Sequence, residues 1–277
     1  MSPLSNPSLV PPPDVIRLAA EDLAAGYGRH AVLDGVSLDV AAGRFTALVG
    51  PNGSGKSTLL SAMSRLLAPM RGVVTLDGKA IHRMPTKALA RELGILPQNP
   101  LQPEGLSVFD LVSRGRYPHQ GLLRQWSDAD EAAVERAMRL TGTLEFARRP
   151  VDDLSGGQRQ RCWIAMAIAQ ETQTILLDEP TAFLDLRYQV EILDLLHDLT
   201  LNHGRTIVAV LHDLNLAVSY ADTVVFLKDG AIRGTASPPA DCTPALIRDV
   251  FGIEVLMVPH PETGGPVFIP RRGGDTA

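Results

Sequence analysis

Cysteine is scarce in this 277-residue chain: it has two, Cys162 and Cys242, far apart and without CxxC spacing. A disulfide framework or a cysteine metal site is therefore not expected, and a reducing cytosol suits the chain. Long apolar runs are missing as well. No stretch reaches the roughly 18 uninterrupted apolar residues that a membrane-spanning helix needs. Positive charge is in deficit, with 26 Lys and Arg against 31 Asp and Glu and a net charge of −5. That argues against a surface that binds nucleic acid as a whole, and leaves room for a local basic patch. The start, MSPLSNPSLVPPPD, has no basic region leading an apolar core. It does not read as a secretory signal, and its prolines read as a disordered lead-in over 1–14. What is present is core-forming material: 45% of the residues are hydrophobic. That is enough for one large α/β domain or two small ones.

The chain is organised around FTALVGPNGSGKSTLLSAMSRLL, from Phe45 to Leu67. Phe45–Val49 is an apolar run that reads as a buried strand. Gly50, Pro51, Asn52, Gly53, Ser54, Gly55, Lys56 and Ser57 fit G-x-x-x-x-G-K-[ST], and Thr58 opens a helical pattern that Pro69 stops. Strand, glycine loop and helix follow in the order a phosphate-binding loop requires. Glycines let backbone N–H groups turn inward as a nest for anionic oxygens. The helix start adds unpaired N–H groups and the positive end of its dipole. Lys56 supplies a point charge for phosphate, and the Ser57 hydroxyl can ligate Mg²⁺.

Upstream, Val15–Leu18 and Val36–Val40 read as strands of a small antiparallel sheet. Tyr27 lies between Gly26 and Gly28, either as a turn residue or as an aromatic face for a stacked adenine. Gly72–Ile81 reads as a hairpin around Asp77–Gly78, and Ala88–Glu92 as a short helix. Ile95–Leu96 then forms a strand that Pro97 ends, leaving Gln98 at the strand's carboxyl end. A glutamine there is a surface residue, or an amide that ligates Mg²⁺ and positions water.

Strand signals vanish from about Asn99 to Leu154. Ser107–Arg114 and Asp128–Leu140 carry helical periodicity, with Ser107 and either Ser127 or Asp128 as N-caps, and the stretch reads as an inserted helical subdomain. Within it Arg114, Arg116, Tyr117, His119, Leu122, Leu123, Arg124 and Trp126 form a basic, aromatic run. That composition fits a nucleic-acid patch, a solvated loop or a protein contact. Next, Ser155, Gly156, Gly157 and Gln158 open a helix, with Ser155 as N-cap and glycines that leave first-turn N–H groups uncovered. This second anion site in a chain with one phosphate loop makes sense if two chains share each nucleotide.

Thr174–Leu177 is an apolar strand that ends in Asp178 and Glu179. Asp178 fits the Mg²⁺-associated acid of phosphate-loop enzymes, and Glu179 is placed to polarise water. Asp185 closes a turn before a helix over Leu186–Asn202, and Ile207–Leu211 is a third core strand ending at His212. Ligands of parallel α/β sheets bind at the carboxyl ends of strands, which favours a γ-phosphate contact for His212 over a structural role. A hairpin around Asp229–Gly230, a helix over Thr243–Phe251 and a strand pair at Ile253–Val258 and Pro266–Ile269 complete the chain.

The ordered array Tyr27, Gly50–Thr58, Gln98, Leu154–Gln158, Ile175–Glu179, Asp185 and His212 resembles the ATP-binding cassette (ABC) family over nearly the whole chain. The decisive part is LSGGQ about a hundred residues beyond a phosphate loop and shortly before ILLDEP. RGRYPHQ (Arg114–Gln120), SGGQRQRCWIAMAIAQ (Ser155–Gln170), TAFLDL (Thr181–Leu186) and FGIEVLMVPHPETGGPVFIP (Phe251–Pro270) resemble ATPases of bacterial ferric siderophore importers, with haem and cobalamin importers as near relatives. One departure is Ala182, where such proteins often carry Ser or Thr; Asp185 stays in place, and no loss of activity is expected.

The resemblance implies an α/β fold: a phosphate-loop NTPase core, an antiparallel β subdomain and an inserted helical subdomain over about 99–160. It implies a single domain over 15–270, with an appendage from about 240 to 270 and a tail over 271–277. It implies ATP and Mg²⁺ as cofactors, with Ser57, Gln98 and Asp178 around the metal. Glu179 would be the general base, aided by Gln98, His212 and Lys56; Tyr27, Asp185 and Ser155–Gln158 would complete nucleotide binding. Partners would be a second copy arranged head to tail, membrane permease subunits and, indirectly, an extracytoplasmic substrate-binding protein, with no nucleic acid. The protein would sit peripherally on the cytoplasmic face of the membrane. A soluble cassette protein that uses ATP closure for assembly or repair is the competing class; its usual second cassette or long coiled-coil insertion is not in this sequence.

Overall fold

The structure is a computed structural model that describes residues 15–98, 100, 104–121, 126–182, 184–237 and 239–271. The expected lead-in over 1–14, Asn99, Leu122, Leu123, Arg124, Phe183 and the tail past Arg271 lie outside the described residues.

The chain begins with β1 (Ile16–Tyr27) and β2 (His30–Ala41), a hairpin of twelve-residue strands. Both are longer than the sequence pattern indicates. β1 is IRLAAEDLAAGY, rich in Ala and acidic residues of low strand propensity. Its register against β2 also shifts between Ala20 and Ala25, where Asp22 takes a positive φ of 46°. Such bulges break the alternation by which a strand is read. β3 (Phe45–Val49) leads into α1 (Lys56–Met63). This helix stops short of Leu67 because Arg65 turns to φ 65° and its guanidinium donates to the carbonyls of Ile81 and Met84. β4 (Arg71–Leu76) and β5 (Lys79–Ala80) follow, then α2 (Thr86–Glu92), which passes without a loop into β6 (Leu93–Leu96).

The helical stretch holds α3 (Val108–Ser113), a 3₁₀ segment Arg114–His119, α4 (Asp128–Leu140) and α5 (Gly156–Ala169). Ser107, Ser127 and Ser155 each cap a helix in a full capping box, with Asp110, Asp130 and Gln158 as the reciprocal partners. Each box satisfies two N–H groups that a helix start leaves open.

Next come β7 (Thr174–Leu177), α6 (Leu186–Leu201), β8 (Thr206–Val210) and α7 (Leu214–Tyr220). The last is a seven-residue helix capped by Asp213 that the sequence pattern does not announce, two turns being too few for a period to emerge. β9 (Thr223–Lys228), β10 (Ala231–Ala236), α8 (Pro244–Phe251), β11 (Val255–Pro259) and β12 (Pro266–Pro270) end the described chain.

These strands form three sheets, β2-β1-β4-β5, β10-β9-β3-β8-β7-β6 and β11-β12. In the six-stranded sheet β9, β3, β8, β7 and β6 run parallel. β3 and β8 are buried at every position, as expected of strands covered on both faces. Side-chain alternation along β3 splits the core in two. Phe45, Ala47 and Val49 pack with α3, α4, α5 and α6, whereas Leu48 packs with α1 and the antiparallel sheet. The parallel strands thus deliver their carboxyl ends, and the loops after them, to one edge.

Arg116 corrects the picture of an exposed basic run. It is 5% exposed, and donates to Asp130 at 3.0 Å, to Glu171 at 2.8 Å and to the Ala169 carbonyl at 2.8 Å. A buried guanidinium of this kind needs its partners and is not free to meet a ligand. Tyr117 remains 60% exposed, and Trp126 lies edge-on to Phe109.

Candidate functional site

The loop between β3 and α1 needs its glycines for room. Gly50 has φ 154°, and a Cβ there would sit 2.1 Å from the Leu227 carbonyl oxygen. Gly55, at φ 102°, would place a Cβ 2.6 Å from Leu33 Cδ2. β9 and β2 therefore press closely on the loop. Ser54 Oγ is buried there without a hydrogen-bond partner. Burial without a partner is costly, and at this loop an anionic oxygen would relieve it.

Lys56 is almost fully buried, and its Nζ donates to the carbonyls of Gly50 at 2.8 Å and Pro51 at 2.9 Å. Burial lowers its pKa, and the nearby carboxylates of Glu179 and Asp178 oppose that shift. Two neutral carbonyls are weak compensation for a buried ammonium; a phosphate chain would be a better one.

Ser57 Oγ donates to Asp178 Oδ1 at 3.0 Å. The Asp178 backbone N–H bonds the Leu96 carbonyl, so β6 fixes the place where β7 ends. Burial raises the Asp178 pKa, opposed by the Ser57 bond and reinforced by the Glu179 charge. Glu179 follows in the left-handed region at φ 53°, which is uncommon for a residue with a side chain. That turn aims its carboxylate at His212, with 2.7 Å between Oε1 and Nε2. Strain of this sort survives only where neighbours hold it, and it concentrates at functional sites.

An open cleft of about 370 Å³ gathers Asn52, Gly53, Gly55, Lys56, Ser57, Thr58, Gln98, Glu179 and His212. Val32 also lines it, contributed by the part of β2 that the sequence pattern leaves unassigned. Asp178 sits behind Ser57. The remaining sequence candidates lie apart from the cleft's lining. Tyr27 ends β1, 60% exposed. Ser155 and Gln158 spend their side chains on the capping box of α5, while nothing lies within 4 Å of a Cβ at Gly156, and Gly157 faces Leu184 and Tyr188. Asp185 caps α6 by accepting from the Tyr188 N–H at 3.1 Å.

The donor set suits a phosphate chain with a hard divalent cation. Loop N–H groups, the Lys56 ammonium and Ser54 Oγ serve anionic oxygens. Among the described residues no group of three His, Cys, Asp or Glu is placed to hold a metal by itself. A cation here would be held by the Ser57 hydroxyl, the Gln98 amide and the ligand's own oxygens, with Asp178 behind Ser57, as befits Mg²⁺, which usually keeps few protein ligands.

Residues 33–182 match the ABC transporter family. The chain belongs to that family. As an ABC-family ATPase it has close relatives. The achromobactin transport ATP-binding protein CbrD of Dickeya dadantii is 50% identical over 91% of this chain and 94% of its own length. The ferric enterobactin transport ATP-binding protein FepC of Escherichia coli is 46% identical over 92% of this chain and 94% of its own. Among solved structures, an inward-facing conformation of a transporter assigned to the metal-chelate type superposes with a TM-score of 0.79 at 28% identity, over 93% of this chain and 98% of the other. The ABC ATPase fold accounts for all three layers: nucleotide core, antiparallel sheet and helical stretch. No helix of the described residues is long and apolar enough to cross a membrane.

Proposed function

We propose that this chain is the ATP-hydrolysing subunit of a bacterial importer that takes up a ferric siderophore complex across the cytoplasmic membrane. The observation that carries the reaction is the constellation at the sheet edge: Lys56 and Ser57 on the loop, Asp178 behind Ser57, and Glu179 aimed at His212. The cargo rests on the ferric enterobactin relative and the metal-chelate type structure.

ATP lies along the loop with its β- and γ-phosphates on Lys56 and the loop N–H groups, and Thr58 at the helix start. Its adenine stacks on Tyr27, whose exposed ring offers a free π-face. Ser57 and Gln98, with Asp178 behind Ser57, would hold Mg²⁺, which would supply charge neutralisation for the phosphates. Glu179 is the general base for the attacking water, and His212 both orients that carboxylate and steadies the γ-phosphate. Catalysis of phosphoryl transfer is mostly positioning and electrostatics, which is what fixed groups at a rigid sheet edge provide.

The helix start at Ser155–Gln158 supports a shared-nucleotide assembly. Ser155–Gln158 head a capped helix outside the cleft, so a second copy arranged head to tail brings its own Ser155–Gln158 and Asp185 onto each ATP. ATP closes this dimer and hydrolysis opens it. The helical stretch around Tyr117 and Trp126 faces permease subunits at the cytoplasmic face of the membrane, with an extracytoplasmic binding protein delivering the chelate.

The test is uptake of labelled ferric siderophore by iron-starved cells, comparing wild type, a deletion strain and the deletion carrying Glu179→Gln. Loss of uptake in both mutants with haem and cobalamin uptake intact is the expected result. Normal iron uptake with haem or cobalamin uptake lost would reassign the cargo. Normal uptake of all three would overturn the transport reading and favour a soluble cassette role.

A further inference from the structure

We infer that Gln170 is a positioning residue for ATP turnover: its side-chain amide locks the helix headed by Ser155–Gln158 to the strand that presents Gln98. The inference deepens the proposed ATPase reading and rests on it. Gln170 is the C-cap of α5, at the far end from Ser155. Its Nε2 donates to the Ala90 carbonyl in α2 at 2.6 Å. α2 runs directly into β6, and β6 ends two residues before Gln98. β6 also fixes Asp178, through the bond from the Asp178 N–H to the Leu96 carbonyl. The amide of one glutamine therefore stands between α5 and two groups of the reaction site.

The space around that amide is built to hold it. A Cβ on Gly94, in β6, would come within 3.1 Å of Gln170 Oε1 and 2.9 Å of Thr172 Oγ1. The bare backbone at Gly94 is what lets the amide seat against the strand. The last carbonyls of α5, which a helix leaves open, are taken by the 3₁₀ segment: Arg116 donates to Ala169 at 2.8 Å, and a ring nitrogen of His119 lies 2.8 Å from the Gln170 oxygen. α2 in turn donates back to that segment, from Arg91 to the Pro118 carbonyl at 2.9 Å, and to the residue that follows it, from Lys87 to the Gln120 carbonyl. α2, the 3₁₀ segment and the tail of α5 thus form one joint with Gln170 at its centre. The head of α5 is fastened as well, since Gln160 Nε2 donates to the Pro180 carbonyl next to Glu179 at 3.1 Å. A helix pinned at its tail to α2, which leads into β6, and at its head to Pro180 beside Glu179 cannot shift without straining both. Releasing one pin lets Gln98 and Ser155–Gln158 drift apart while the phosphate loop, which follows β3 and not β6 in the same sheet, keeps its grip on ATP.

Two variants approach the joint from opposite sides. Gln170→Met keeps length and removes the donor; Gly94→Ala pushes the amide off its seat. The full-length chain is assayed for steady-state ATP hydrolysis and for binding of a fluorescent ATP analogue, with melting temperature as a control on folding. Both variants are expected to lose about tenfold or more in kcat, as small misplacements of reacting groups do, with ATP affinity within about twofold of wild type. The double variant should lose little more than either single one, because both break the same contact. Wild-type kcat in both variants overturns the inference. So does a loss of ATP affinity in step with kcat, which would mark a general loosening of the fold. A wild-type chain without ATP turnover would overturn the ATPase reading itself and this inference with it.

Discussion

Two regions of the molecule bury charge, and they treat it differently. At Arg116 the charge is met by two carboxylates and a carbonyl. The guanidinium meets Asp130, Glu171 and the Ala169 carbonyl, and Asp130 is itself held by Ser127 and the Ser127 N–H. At the sheet edge the partners run short. Lys56 has two backbone carbonyls, Asp178 is pushed toward its neutral form by burial, Ser54 Oγ has no partner, and Glu179 is held at a positive φ. A buried charge met by opposite charges is architecture. A buried charge left short fits the proposed site, where a ligand would supply the missing partners.

The largest effect should come from Glu179→Gln, which keeps shape and removes the proposed base. ATP turnover is expected to fall by about 10²–10⁴-fold, the usual contribution of a positioned general base, with ATP still bound. ATP should then accumulate closed dimers, visible by size-exclusion chromatography. Turnover near the wild-type rate would remove Glu179 from this role. Arg116→Met should show the opposite signature. It strands the buried Asp130 carboxylate, and breaking a buried pair from one side typically costs about 3–5 kcal/mol of stability. ATP affinity of the protein that remains folded should not change. Chemical denaturation paired with ATP titration separates the two variants, and a loss of affinity in Arg116→Met without a loss of stability would break the comparison.

Lys56→Ala falls between them. It removes a charge that phosphate would have satisfied, so ATP affinity should drop, by roughly tenfold or more given the strength of charge-assisted bonds. Stability in the absence of nucleotide should hold, because the buried ammonium is poorly compensated as it stands. If the apo protein instead melts much earlier, Lys56 belongs with Arg116 and not with the site.

The same division explains what can be read from the sequence. GPNGSGKS, LSGGQ and the capping serines are local patterns: each acts within one loop or one helical turn, so spacing alone exposes it. The core strands are legible for the same reason, since burial on both faces forces apolar runs at β3, β7 and β8. Arg116 is not legible, because a buried arginine and an exposed one are spelled alike; only the packing of α4 and α5 distinguishes them. Glu179 is visible as an acid after a strand, but its positive φ and its 2.7 Å approach to His212 depend on three strands meeting at one edge. Gln170 and Gly94 lie 76 positions apart in the sequence, and nothing short of the fold brings them together. β1 hides for yet another reason, its bulges having scrambled the alternation.

The smallest effect is also the finest test of the charge pairing at Arg116. Ser127→Ala removes the N-cap of α4, worth about 1 kcal/mol, and with it the hydroxyl that bonds Asp130 Oδ2 at 2.7 Å. Burial by itself would raise the Asp130 pKa, yet the bonds from Ser127 and Arg116 more than reverse this and hold it below the ordinary carboxylate value. A carboxylate depressed in the folded state stabilises the fold fully above its unfolded pKa, near 4, and ceases to do so as pH falls through its folded value. Wild type should therefore keep this contribution at neutral pH and lose it only in acid. In Ser127→Ala the Asp130 pKa moves back up, so acid unfolding should begin at higher pH. The stability gap between the two proteins should be widest near neutrality and shrink once Asp130 is protonated in both, leaving the cap alone. A gap that stays constant with pH would mean that Asp130 contributes no charge-dependent stability, and that the ion pair at Arg116 is weaker than its geometry indicates.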